Sequence, residues 1–590
     1  MSPQINKTAQ IQWGPISLKL EKGGQIQIDT EKGSYFVESS YSYPGPTAMG
    51  WNMLAGITTG SEVEWIPIVN RTSAKSIKAR AHGKFYQLIR RVQIFKHLIQ
   101  FEDRLTNLLN EPIGLVVQHN ITTPLPFKEA FTPNGAENPT IFIATDKDSI
   151  GVAIQDNISR LRFEPIVGKS PDQAKFRFSN FALDDHDSYT MRWAIYVLDS
   201  DTDYFDFINK LRKNWKTNFT IQGPFIFWYN IEALLNDPEQ FRHYLERKRS
   251  KLVALSSFLD FDPGEFDHVL TWDEYKQVMQ RAMISLKKLD PEIKCLGCIE
   301  TDWVTIYPEQ IPNGDQLPAA APNVPFITKL SKDQSDIIDN ANLTWKDSVK
   351  RNEDGTLTLG LYMRGNPAKP QTALSVYPAV GNSQYKHMLS QVRFLLDDVG
   401  MDGLYIDEFS QAHSWTSSTA GSWLRGVPTF PLTDADGWDK RSVIVDRLTG
   451  NISRKYIDCS LVGIQARIGI LEYALGKGKI VVANTYSTSN EEQALPVNRF
   501  AETFNLFDPF AGHSVGEAPP IAEIFRGNLA SPIGLGISGM PQLADTATRL
   551  MKAVMTYLRH GSVYYHYAIE DIPEVGPGSG EYGPINHMFP

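Results

Sequence analysis

The segment GMDGLYIDEFS, residues 400–410, ends an apolar run in two adjacent carboxylates, Asp407 and Glu408. Read as a strand over 403–409, it carries Leu404, Ile406 and Glu408 on one face and Tyr405, Asp407 and Phe409 on the other. Two more segments deliver acids in the same manner. CIETDW offers Glu300 and Asp302 ahead of Trp303, and RFAETFN offers Glu502. Carboxyl groups meeting at one mouth are the equipment for breaking a glycosidic bond: one protonates the leaving oxygen, and the other attacks carbon or activates water. Crowding drives their pKa values apart, so one can stay protonated near neutral pH. Asp407 is the candidate nucleophile (or base) and Glu502 the candidate acid/base.

Around this pair the sequence supplies groups suited to gripping a sugar. Glu300 and Asp302 would bond hydroxyls, and Trp303 would stack on a ring. Tyr405 shares the face of Asp407, while Glu408 is expected outside the strand, supporting a loop. ADGWDK places Trp438 between Asp436 and Asp439 in a long loop and reads as an exposed sugar-gripping element. Asn484 and Tyr486 end VVANTY, and Tyr229 and His566 end two other strand candidates. No metal or other cofactor is required. Asp302, Asp436 and Asp439 lack the spacing of a calcium loop, and Cys295 and Cys298 fall on opposite faces of a strand.

The elements that must position these groups fall into two patterns. Residues 1–220 alternate with period two in short runs such as GQIQIDT and YQLIRRVQIF, separated by Gly, Asn, Asp and Pro clusters. That pattern predicts an antiparallel β-sandwich, joined onward by a helix over 202–216. From 221 to 590 strands alternate with amphipathic helices, which predicts a parallel sheet covered by helices. DPEQFRHYLERKRSKLVALSSFL reads as one long helix, and SQYKHMLSQVRFLLDDVG as a helix stopped by Gly400. The number of strand candidates favours a (β/α)8 barrel; an open doubly wound sheet ranks second, because no Gly-rich turn follows FWYN. The stretches 304–356 and 409–450 follow strand C-termini, so both are expected on the active face.

Composition narrows the function. The 590 residues carry a net charge of -9 with no basic block, which excludes a nucleic-acid surface as the default. No apolar run is long enough to span a membrane. Aromatics reach 11%, in keeping with sugar faces and large β cores alike. The polar start MSPQINKTAQ and seven N-x-S/T sequons fit a secreted or periplasmic chain with its signal removed, a cytoplasmic chain being the alternative. The oligomeric state is not legible, and the expected partner is a carbohydrate substrate.

DGLYIDEF resembles the fourth-strand signature of retaining α-glycosidases, in which a strand rising from an Asp-Gly step ends in the nucleophilic Asp. A large β-sandwich ahead of a barrel is similar to the plan of glycoside hydrolase families 36, 97, 101 and 129 and their relatives. The resemblance implies Asp407 at the nucleophile position and Glu502 at the acid/base position. Those enzymes often have Lys or Arg two residues before the nucleophile, where this chain has Tyr405.

Three rival functions remain. A sugar-binding protein could keep the barrel without the chemistry, although binding alone would tolerate Asn and Gln at 407 and 502. A polysaccharide lyase would work through Tyr405 and His566. GHSVG satisfies G-x-S-x-G around Ser514, but Pro509, Pro519 and Pro520 flank it where a nucleophile elbow needs a strand and a helix.

Overall fold

Period-two burial is the signature of the first 200 residues. Tyr86–Ile94 alternates buried with exposed or half-buried positions along its whole length, so one face packs and the other meets water. A computed structural model describes residues 8–133, 135–220, 222–223, 225–228, 231–248, 250–261, 266, 268–318, 327–341, 343–362, 371–410, 429–503, 525–530, 533–536 and 555–566. Its contacts divide the chain into two compact units. The first comprises Met1–Trp215, Thr433–Ile457 and Thr488–Asn490; the second comprises Lys216–Leu432, Asp458–Ser487 and Glu491–Pro590.

The first unit holds two eight-stranded antiparallel sheets. Ser34–Tyr43 and Ile113–Thr122 lie at the middle of one, Leu98–Asn107 and Ser188–Leu198 at the middle of the other. The sheets pack face to face through an apolar core with a polar knot inside. Asp103 accepts Arg90 Nε at 2.7 Å and Tyr41 Oη at 2.9 Å, so the buried charge pair is hydrogen-bonded from both sheets. His119 sits beside it, its Nδ1 2.8 Å from Ser39 Oγ and its ring 4.7 Å from that of Trp193. Burial, then the neighbouring Arg90 guanidinium, pushes the His119 pKa down to about 3. The unfolded chain would therefore take up a proton near pH 6.5 that the native chain refuses, and stability must fall as pH drops from about 6.5 toward 3. Replacing His119 with Gln is expected to remove this contribution. In urea titrations the loss on going from pH 6.5 to pH 5 should shrink by about 2 kcal/mol relative to wild type.

The second unit is built on an eight-stranded parallel sheet whose strands follow sequence order: Phe225–Trp228, Leu252–Phe258, Lys294–Glu300, Gly403–Asp407, Ile480–Asn484, Asn498–Thr503, Ile533–Gly536 and Val563–His566. The sheet is rolled. In a flat sheet the first and sixth strands would lie about 24 Å apart, yet the rings of Phe225 and Phe500 are 5.1 Å apart. Gln222 N also donates to Asn498 Oδ1 at 3.3 Å. Among the described residues no ladder joins the eighth strand to the first.

Three sequence expectations change here. The segment read as one long helix is a helix only over Pro238–Lys248, and Leu252–Phe258 is the second strand. All seven residues of that strand are buried, so covered on both faces it shows no period to read. The stretch after the third strand forms its own four-stranded antiparallel sheet, Trp303–Ile306, Gln371–Ser375, Thr358–Tyr362 and Ile327–Lys329, with a small apolar core. Of the stretch 409–450, expected on the active face, the part from 433 onward folds with the sandwich, as part of Thr433–Ile457. Ala182 N donates to Arg441 O at 2.9 Å, and Val443–Val445 and Ile452–Lys455 form a hairpin over Gly114.

Local chemistry fixes the fourth strand. Thr271 and Glu274 form a capping box that starts the helix Trp272–Leu289. The helix Ser383–Arg393 continues as a π-turn over Phe394–Val399 and stops at Gly400, whose φ of +87° suits glycine. Gly403 has no room for a side chain: an added Cβ would lie 2.2 Å from Ile480 O. Asp402 joins three strands at their N-terminal ends, accepting Cys295 N at 3.0 Å and Lys287 Nζ at 3.1 Å while its carbonyl accepts Ile480 N. The Asp-Gly step is thus the foot of the strand that ends in Asp407. Among the described residues no helix is long and apolar enough to cross a membrane.

Candidate active site

Asp407 and Glu300 are direct neighbours in the parallel ladder, each the last residue of its strand. On the other side Ile406 pairs with Ala483, which brings Asn484 alongside Asp407. Three donors converge on one oxygen of Asp407, Oδ1: Asn484 Nδ2 at 2.6 Å, Tyr405 Oη at 3.1 Å and the backbone N of Glu408 at 3.2 Å. Tyr405 is buried, its ring 4.4 Å from Phe227, 5.6 Å from Phe225 and 6.0 Å from Phe500. The interior of the rolled sheet is therefore an aromatic plug capped by the Tyr405 hydroxyl, with Asp407 standing on it. The Tyr405 hydroxyl serves the carboxylate.

Glu300 is buried, and its Oε1 accepts the backbone N of Thr301 at 2.9 Å and of Asp302 at 2.8 Å. Burial, followed by the charges of Asp407, Glu408 and Asp302, pushes its pKa well above the ordinary carboxylate range. Burial and the neighbouring acids thus favour the protonated form of the carboxyl beside Asp407. The unfolded chain releases that proton above about pH 4.5, and the native chain holds it. Glu300 therefore costs stability as pH rises from the unfolded pKa toward the raised native one. Replacing Glu300 with Gln, neutral at every pH, should stabilise the protein progressively above pH 4.5, by up to about 1.4 kcal/mol per pH unit. Urea unfolding of both proteins at pH 4.5 and pH 7.5 measures this, and parallel curves would refute it.

Asp302 is fully buried and lies 3.4 Å from Lys350 Nζ, itself buried in the inserted antiparallel region. Its carbonyl accepts Val376 N at 2.8 Å. Asp302 thus ties the insertion to the third strand end, and its carboxylate faces a lysine as well as the acid cluster. Trp303 is 5% exposed and packed in the apolar core, which corrects the expectation of an open stacking face. Glu408 is buried, with φ of +50°. It lies just beyond the strand, as expected, and its charge is one of those acting on Glu300.

Trp438 and Asp439 fold within the sandwich unit. Trp438 is 8% exposed; it packs with Val116, Ala182, Val443 and Val445 and donates Nε1 to Ser442 O at 2.8 Å. Asp439 accepts the backbone N of Arg441 and Ser442 at 2.8 and 2.7 Å, and Asp436 closes a turn on Thr433. The segment is a structural clasp on the sandwich. Its acid-Trp-acid pattern looked sugar-binding because turn-forming Asp and interior Trp leave the same letters in sequence. Tyr229 and the Ser514 motif lie outside the described residues. Glu502 pairs with Leu535 and His566 with Gly536 in the parallel ladder.

Lys350, Thr485, Ser410, Arg499, Glu492 and Arg467 were not singled out from sequence. Only Arg499 left a signal, a charge inside the strand VNRFAETF that demands a buried partner. Among the described residues no group of His, Cys, Asp and Glu is arranged to hold a metal ion.

No protein-family model matches the chain, and no curated protein is similar to it in sequence. Solved structures are. A GH31 family sulfoquinovosidase from E. rectale, in complex with an aza-sugar inhibitor, aligns over 94% of this chain and 77% of its own at 11% identity, with a TM-score of 0.41. A GH36 α-galactosidase from Geobacillus stearothermophilus, in complex with 1-deoxygalactonojirimycin, aligns over 93% and 72% at 8% identity and a TM-score of 0.40. A putative aldose 1-epimerase from Escherichia coli K12 aligns over 33% of this chain and 99% of its own at 12% identity, with a TM-score of 0.24.

Proposed function

We propose that this protein is a glycoside hydrolase acting through two carboxylates, with Asp407 as nucleophile and Glu502 as acid/base, on a closed (β/α)8 barrel. The observation that carries the reading is the convergence of Tyr405, Asn484 and the Glu408 amide on one oxygen of Asp407, next to a Glu300 that keeps its proton. Three donors fix the carboxylate and favour its charged form. A neutral carboxyl at its side is suited to a sugar hydroxyl, to which it can donate or accept.

In this mechanism the charged Asp407 attacks the anomeric carbon while the second carboxyl protonates the departing oxygen. Water, deprotonated by that same second group, then releases the sugar. Residue 502 belongs to the sixth strand, Asn498–Thr503, whose Phe500 ring lies in the aromatic plug beneath Asp407. Glu300, Asp302, Glu408 and Asn484 contact or position the sugar in this reading, and Tyr229 and His566 are its further candidates for sugar contacts. Turnover of aryl α- and β-glycosides by the wild type, with Asp407→Asn in the same assay, tests the reading. Equal rates for the two proteins would remove Asp407 from the mechanism.

A further inference from the structure

The turns just beyond Asp407 and Asn484 are strained in tandem. Glu408 has φ of +50° and Thr485 φ of +78°. Of the non-glycine residues with positive φ among the described residues, Thr485 alone is β-branched, and for a β-branched side chain this backbone is a true outlier. Such strain persists only where the surroundings over-determine it.

The surroundings of Thr485 do so through a closed circuit of buried groups. Its Oγ1 accepts Ser410 N at 2.9 Å and lies 2.5 Å from Ser410 Oγ. Its carbonyl accepts Arg499 Nη1 at 3.2 Å. Arg499 is held by Glu492, Nη2 to Oε1 at 3.4 Å. Glu492 takes Arg467 Nε at 2.8 Å and Ser487 Oγ at 3.1 Å. Arg467 Nη2 donates to Ser460 O at 2.8 Å, and Ser460 Oγ returns to Ser410 O at 3.4 Å. Every side chain in the circuit is essentially shut off from solvent.

We propose that this circuit holds the candidate nucleophile in place, with Thr485 and Arg499 as positioning residues that act through Asn484 on Asp407. Asn484 and Thr485 are consecutive, so the φ of Thr485 sets where the chain carrying the Asn484 amide leaves its strand. Phe409 N donating to Asn484 O at 3.1 Å locks the two strand ends together from the other side. Two guanidiniums on one carboxylate leave an excess buried positive charge, and the carbonyls of Thr485 and Ser460 each accept one further N–H from them. The arginines are thereby bound to the backbone of the turns and not only to Glu492. A simple core salt bridge would have no reason to hold a strained carbonyl on the residue next to Asn484.

This inference rests on the glycosidase reading for its kinetic arm, so the experiment carries a second arm. Thr485→Gly accepts positive φ without cost but loses the Oγ1 bonds to Ser410; Thr485→Ser keeps them. The expected kinetic result is a fall in kcat of about 10- to 100-fold for Thr485→Gly, with KM changed less than about threefold and Tm not lowered, and recovery of most of kcat in Thr485→Ser. Arg499→Lys should lower kcat in the same direction. The expected crystallographic result for Thr485→Gly is loss of the 2.6 Å bond from Asn484 to Asp407. A folded Thr485→Gly that retains that bond, or retains full kcat where Asp407→Asn has none, overturns the positioning role. If wild type and Asp407→Asn are equally inactive, the glycosidase reading fails and the crystal alone decides this one.

Discussion

Asp407→Asn is expected to lower kcat on aryl glycosides by a factor on the order of 10⁴ or more while leaving Tm near that of the wild type. The two expectations belong together. An asparagine oxygen can accept the same bonds from Asn484, Tyr405 and the Glu408 amide that Asp407 Oδ1 accepts, so the aromatic plug and both strand ends keep their geometry. What disappears is the negative charge and the atom that bonds to the anomeric carbon. The first-formed sugar of the wild type, observed by NMR before mutarotation, should keep the configuration of the substrate. An inverted product would make Asp407 a base for water instead of a nucleophile. Unchanged turnover by Asp407→Asn would end the proposal.

The second large effect is at Glu502. Glu502→Gln should lower kcat by about 10²- to 10⁴-fold on glycosides with a poor leaving group, the range for removal of a general acid. With a dinitrophenol-type leaving group, which departs without a proton, the first step should fall by less than about tenfold, and deacylation-like release of the sugar should become limiting. That leaving-group dependence separates an acid/base from a binding residue, whose loss raises KM alike for both substrates. Equal losses on the two substrates would move the acid/base elsewhere in the mouth. Glu300, which keeps its proton beside Asp407, would be the first group to test.

The mouth shows how much of a site a single strand can announce. DGLYIDEF contains the foot, the wall and the tip: Asp402 ties the strand to its neighbours, Gly403 lets it pass Ile480, Tyr405 and Asp407 share the inner face, and Leu404 and Ile406 are buried. Alternation alone separates these roles. Glu408 lies just past the strand end, as expected, but its burial was not legible, because alternation stops where φ turns positive and no residue type in the sequence marks that turn. Leu252–Phe258 was missed for the opposite reason: burial on both faces erases the period. Trp438 was misassigned because nothing local tells a loop that meets solvent from one that folds back on a sheet.

The alternating sandwich strands, the order of most strands and helices that follow, and the place of Asp407 on the inner face could all be read along the chain, because each depends on contacts within a few residues. Tertiary structure alone decided that Glu300 stands beside Asp407 and keeps its proton, that Lys350 answers Asp302, that 433–457 belongs to the sandwich, and that six residues between 410 and 499 close a circuit under the mouth. Burial and charge depend on groups that are remote in the chain and close in space. A pKa or an ion pair is therefore written only when the sheet has rolled up and water has been excluded.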